Sequence, residues 1–242
     1  FCDYWLNLRN INLTEPDENI YPEYSGLVSE SMVDETRAYF AEMIRENLGV
    51  MNVVDSDFAM VNQRLAELYE IPGVQGSHIQ KVSLPADSVR GGLITQGSIL
   101  KLTANGTTTS PVVRGTYALE HLFGDPPPPP PASVPAIEPD VTGASTVREQ
   151  LEKHRAAEEC ASCHAKIDPP GFALESFDVM GQWRDQYRVS IERGQKGVDL
   201  SFGGKPVQYK MGAGVDSAGV LPNGTTFSDI HGFRDALETY EE

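Results

Sequence analysis

Two thiols and an imidazole at fixed spacing, in the run Cys160-Ala161-Ser162-Cys163-His164, are the side chains best suited to chemistry. On a helical turn, positions i, i+3 and i+4 share one face. Two thiols on that face reach the two vinyl groups along a porphyrin edge. The histidine then folds under the ring and offers Nε2 to the iron. The thioether bonds tie the cofactor down, so a pocket need not hold it by affinity alone. C-x-x-C-H is the attachment pattern of c-type haem. The sequence therefore calls for one haem c, bonded through Cys160 and Cys163, with His164 as proximal iron ligand.

Three other chemistries use a close cysteine pair. Zinc needs four ligands, and here the fourth would be His154 or the distant Cys2. A redox dithiol follows a strand in a βαβ unit, whereas the approach here is helical. A plain structural disulfide is the third. For the far side of a haem iron, Met211 ranks first, flanked by Gly203, Gly204, Pro206 and Gly212 in what reads as a loop. Met180 ranks second and His154 third, and an empty position is the alternative. Asp168 and Asp178 can steer His164 or a propionate, although Asp168 directly precedes Pro169 and so reads as a turn former. Glu175 and His154 are the acid–base candidates beside an open iron. Arg90, Arg114, Lys166 and Arg184 are candidate propionate partners. Phe177 and Trp183 pack either on the porphyrin or in the core.

These residues need elements to position them. Thr146 and Glu149 form a capping box that opens a helix toward Cys160, with Val147 and Leu151 on its apolar side. Asp168-Pro169-Pro170-Gly171 reads as a sharp turn, after which residues 172–183 return to helical spacing. Ser110 is an N-cap with Pro111 at the first helical position, and that helix runs through Tyr117 to Phe123 and stops at Gly124. Asp125 then precedes six prolines, Pro126 to Pro131, a stiff polyproline rod read as a spacer.

Nearer the start, Ser31 caps a helix carrying Val33, Phe40, Met43, Ile44 and Leu48, ended by Gly49. Ser56 caps a second, with Phe58, Val61, Leu65 and Leu68, that stops before Pro72-Gly73. Val82 and Leu84 start a strand. Residues 190–214, rich in Gly, Lys and Gln, read as a loop. Pro222-Asn223-Gly224 makes a hairpin turn between Val220 and Phe227. A last helix begins near Asp229, with Ile230, Phe233, Leu237 and Tyr240 on one side. The expected fold class is mainly α: a helical cytochrome c-like haem module with a short β hairpin, plus a helical N-terminal module. The expected divisions are 1–76, a helical module; 77–190, the haem module with its spacer at 125–139; and 191–242, the start of a third module.

The chain has 242 residues, with 35 acidic against 19 basic side chains and a net charge of -16. Such acidity argues against nucleic acid and anionic membranes as partners and favours a basic one. Hydrophobic residues, at 40%, are enough to build a core. No apolar run approaches the ~20 residues of a spanning helix. No Walker loop, dinucleotide fingerprint or nucleophile elbow occurs. The first residue is Phe rather than Met, and the chain reads as a mature product or an internal piece.

Residues 160–184 resemble the cytochrome c-like modules of planctomycete-type multidomain proteins, which carry several domains of unknown function in tandem. The resemblance extends to residues 62–66, 90–98 and 109–115, to the prolines before Val134-Pro135, and to residues 215–227, in family order. It implies three consecutive modules, the first and last cut short. It also implies a haem c protein exported from the cytoplasm, periplasmic or at the cell surface, beside other domains or subunits. It implies no defined reaction. The functional expectation is electron transfer outside the cytoplasm, to a redox partner protein with a basic docking surface. The alternatives are a peroxidase-like or oxidase-like enzyme with an open iron position, and a haem-stabilised extracellular scaffold.

Overall fold

A computed structural model describes residues 1–129, 146–154, 158–192, 195–203 and 205–238, without the side chains of 153, 154, 158–160 and 205. After a single turn, α1 (Cys2–Trp5), comes the longest helix, α2 (Gly26–Arg45). Its cap is Ser25, whose hydroxyl accepts from the Val28 N–H. Ser31, the expected cap, lies inside the helix and donates to the Leu27 carbonyl at 2.8 Å. The segment expected as a second helix divides in two. Phe58–Val61 forms β1, buried at all four positions, and Asn62 then caps α3 (Gln63–Leu68) by accepting from the Leu65 N–H. A fully buried short strand shows no period-2 alternation, so its apolar residues mimic helical spacing. Antiparallel to β1 lies β2 (Gln80–Ser83), which includes the expected Val82.

Next come α4 (Gly97–Leu102) and α5 (Pro111–Tyr117). Ser110 caps α5 by accepting from the Val113 N–H, and Pro111 opens it, as expected. The helix widens into a π turn at Ala118–Phe123 and ends at Gly124, whose φ of 72° suits glycine. Pro130 and Pro131, and the spacer on to 139, lie outside the described residues. The capping box then opens α6 (Val147–His154): Glu149 N–H donates to Thr146 Oγ1 at 3.1 Å, and Thr146 N–H donates to Glu149 Oε2 at 2.9 Å.

The central helix is α7 (Glu158–Ala173), followed by β3 (Gln186–Ser190), β4 (Ser201–Phe202), β5 (Lys205–Pro206) and β6 (Tyr209–Gly214). Antiparallel pairing joins β3 to β6 and β4 to β5. The predicted hairpin is present as β7 (Gly219–Val220) and β8 (Thr226–Phe227) around Gly224. Asp229 caps the last helix, α8 (Ile230–Glu238), by accepting from the Gly232 N–H at 2.9 Å. Gly194, Gly204 and Tyr240 lie outside the described residues.

The expected mainly α class is therefore wrong. With 40% helix, 14% strand and four two-stranded sheets among the described residues, the fold is mixed α/β. The strands missed at 186–214 bury few side chains, Val189 and Tyr209 among them, so they carry no apolar alternation. One core packs Met32, Val61 and Leu65 against Val179, Met180 and Tyr209. A second packs Ala173, Leu174 and Phe177 at the end of α7 against Leu221, Phe227, Ile230 and Phe233. Among the described residues, no helix is long and apolar enough to cross a membrane.

Candidate functional site

Cys160, Cys163 and His164 all lie on α7, so the i, i+3, i+4 spacing does place the three positions on one helical face. Cys163 is a free thiol of intermediate exposure, and the Cys160 side chain lies outside the described residues. His164 is buried, and its Nδ1 lies 2.8 Å from Asp168 Oδ1. Facing a carboxylate, Nδ1 carries the ring proton, so Nε2 is the nitrogen a metal would take.

Asp168 is thus no turn former. The helix continues through Pro169 and Pro170 to Ala173. Each proline removes one backbone donor, and the carbonyls left without it belong to Ala165 and Lys166. Both residues lie on the exposed side of the helix, while the two prolines are buried. Two glycines hold α7 against α5 at backbone distance. A Cβ on Gly115 would overlap the Ile167 carbonyl oxygen, and one on Gly171 would overlap that of Pro111. His164 and Asp168 therefore sit on a helix segment clamped by its neighbour. Arg148 of α6 adds a second clamp, stacking 3.9 Å over the Phe172 ring and pairing with Asp216 at 2.7 Å.

Residues 174–183, expected as helix, form turns closed by a bridge between Phe177 and Trp183. Asp178 holds that turn, its Oδ1 accepting from the Met180 and Gln182 N–H groups at 2.8 and 2.9 Å. Burial pushes its carboxyl pKa up against the pull of Arg184 and Arg188. The arginines proposed as propionate partners are spent on backbone. Arg114, fully buried, donates to the carbonyls of Leu174 at 2.5 Å, Phe177 at 2.7 Å and Asp178 at 2.8 Å. It thereby ties together the turns that follow α7. Burial lowers its pKa to about 10, so it stays charged at neutral pH. Arg90 donates to the Thr95 and Gly181 carbonyls and stacks on Tyr69, and Arg184 donates to the Glu175 carbonyl at 2.9 Å.

Glu175, the acid–base candidate, is likewise committed. Its Oε2 accepts from Thr109 Oγ1 at 2.9 Å, Tyr187 Oη at 3.0 Å and Arg184 Nη2 at 3.3 Å. Arg114 Nη1 lies 3.5 Å from Oε1. Thr109 and Tyr187 carried no sequence signal, because a hydroxyl reveals a buried partner only once the chain is folded. Lys166 is exposed and pairs with Asp125 at 3.2 Å, tying α7 to the foot of the proline run. Phe177 is core, and Trp183 meets its ring edge-on at 5.3 Å with Nε1 donating to Asp185.

Neither candidate methionine lies on α7. Met180 is wholly buried in the core with Met32 and Leu65. Met211 lies on β6 rather than in a loop, opposite Arg188 of β3, and is 45% exposed. Cys2 is buried with Leu6, Leu8 and Tyr39, which removes it as a fourth zinc ligand. The described residue run before α7 is helical α6, not the strand a redox dithiol needs. Among the described residues, no three His, Cys, Asp or Glu side chains converge as a metal cage. The donor set fits a haem c: a free thiol and an oriented imidazole side by side on a clamped helix, with the second cysteine position one turn earlier.

Residues 90–187 match the family model PSCyt3, a protein of unknown function (DUF1588). Residues 1–71 match PSD4, a protein of unknown function (DUF1592). The chain thus joins matches to two domains of unknown function. No curated protein and no solved structure matches it.

Proposed function

We propose that this chain is a c-type cytochrome module that carries one covalent haem and passes electrons outside the cytoplasm. The observation that carries this reading is the oriented His164 beside the free Cys163 on α7, with the Cys160 position one turn earlier. The PSCyt3 label and the resemblance to planctomycete-type multidomain cytochromes support it. Cys160 and Cys163 would hold the cofactor through thioethers and His164 Nε2 would take the iron. When bound, the haem supplies a one-electron couple. The chain's own residues fix the imidazole at Nδ1 and keep α7 rigid through Gly115, Gly171 and Arg148. Little then rearranges when charge moves. Covalent attachment places the protein in the periplasm or at the cell surface. The -16 charge suits a redox partner with a basic docking surface.

The positions of the methionines favour a second reading, an enzyme with an open iron position. Met211 is seated on an exposed strand and Met180 in the interior, which favours neither as an axial ligand. A reduced spectrum in alkaline pyridine, followed by carbon monoxide addition to the native ferrous protein, tests both. Electron transfer predicts a two-thioether c-type spectrum that carbon monoxide leaves unchanged. Rapid carbon monoxide binding selects the open-iron reading, and absence of any haem band rejects both.

A further inference from the structure

The contact between His164 and Asp168 bears on how a bound iron would behave. The pair is separated by one helical turn, with Nδ1 and Oδ1 2.8 Å apart. The His164 side chain is 11% exposed and that of Asp168 2%. At that burial the interaction is little screened by water or salt. The pair is also hard to pull apart. Pro169 and Pro170 stiffen the helix immediately after Asp168, and Gly115 of α5 packs on the carbonyl of Ile167 immediately before it. A ring hydrogen-bonded to a carboxylate is a stronger donor at its other nitrogen than one bonded to a neutral carbonyl. Stronger donation favours ferric over ferrous iron and strengthens the push on a ligand across the ring.

Resting on the haem reading above, we infer that Asp168 is a positioning residue that fixes the His164 tautomer and makes it an electron-rich axial ligand, holding the haem at low potential. Asp168 touches neither the iron nor a substrate. It acts through the imidazole, and its loss should therefore move the potential without removing the haem.

The test uses the full haem-loaded chain and its Asp168→Asn, Asp168→Ser and Asp168→Glu variants. Denatured mass first establishes that haem is attached. The two uncharged variants should shift the ferric–ferrous equilibrium toward ferrous by roughly 10- to 100-fold, the usual reach of such partners. Each tenfold is about 59 mV for one electron. The Glu variant, which keeps the charge, should remain close to wild type. Wild-type protein gives an independent readout. In the diamagnetic ferrous protein, or in its carbon monoxide complex if the iron is open, the His164 Nδ1–H proton should resonate at the low field of a carboxylate-bonded imidazole. A haem-loaded Asn or Ser variant with unchanged potential, or a wild-type His164 Nδ1 proton at the position of a carbonyl-bonded imidazole, overturns this inference alone. A mass without haem overturns the haem reading and this inference together.

Discussion

Asp168 and Asp178 look alike in the sequence: both are acids placed to steer His164 or a propionate, and both stand a short distance beyond the cysteine pair. Folding gives one to an imidazole and the other to two backbone N–H groups. Glu175 is a third acid whose use was hidden, and its removal should be costly. Glu175→Ala would leave Arg114 and Arg184 buried without their carboxylate, a loss of about 3–5 kcal/mol. Denaturant unfolding of the variant checks this, and a loss below about 1 kcal/mol would contradict it. Glu35 carries a pH dependence. It is buried beside Tyr69, whose hydroxyl donates to Oε2 at 2.7 Å, and burial raises its pKa from 4.5 to about 7 despite Arg90. The folded protein therefore holds this proton more tightly than the unfolded chain. The corresponding stability is complete below about pH 4.5 and is lost as pH rises through about 7. Glu35→Gln should remove that loss, stabilising the protein at pH 8 by up to about 3 kcal/mol. Melting wild type and variant at pH 5 and pH 8 measures it, and a stability gap equal at both pH values would refute it.

Among the elements, those announced by short-range signals were legible: Ser110-Pro111 opening α5, Thr146 and Glu149 opening α6, Asn223-Gly224 turning the last hairpin, and the apolar spacing after Asp229 marking α8. These signals are local and act within three or four residues. What failed depended on distant packing. The β1 strand is recognisable only because α2 and α3 cover it, and β3 pairs with β6 across an intervening segment of poor pattern. Helix α7 is the instructive failure. Pro169-Pro170 spell a turn locally, but burial of both prolines and a glycine-lined contact with α5 keep the helix going. The cysteine and histidine positions were therefore readable, whereas the role of Asp168 needed the helix to be unbroken. Gly115→Ala tests the contact. Its Cβ would force α5 from α7, costing about 3 kcal/mol of overpacking against a smaller gain in helix propensity. A lowered melting temperature and an altered haem spectrum are expected, and a variant as stable as wild type would show that the helices are not in backbone contact.

At the scale of the whole molecule, the segment from Ala173 to Met180 that follows the candidate site contributes to two cores and anchors a network of buried arginines. The charge of -16 surrounds that rigid centre. Electron exchange with a basic partner protein should accordingly slow as ionic strength rises, by tenfold or more between about 0.01 M and 0.15 M salt, as the Debye length falls from about 30 to about 8 Å. Stopped-flow rates across that range would show it, and salt-independent rates would argue against electrostatic docking. Everything proposed for the iron depends on a covalent bond to the two cysteines, and intact mass under denaturing conditions reads that bond most directly. The chain is made in a host with the haem c maturation apparatus and exported. We predict the mass of the chain plus one haem, retained through acidic ketone extraction and lost in the Cys160→Ala, Cys163→Ala double variant. The mass of the bare chain, from cells that load a control cytochrome c, would contradict the account.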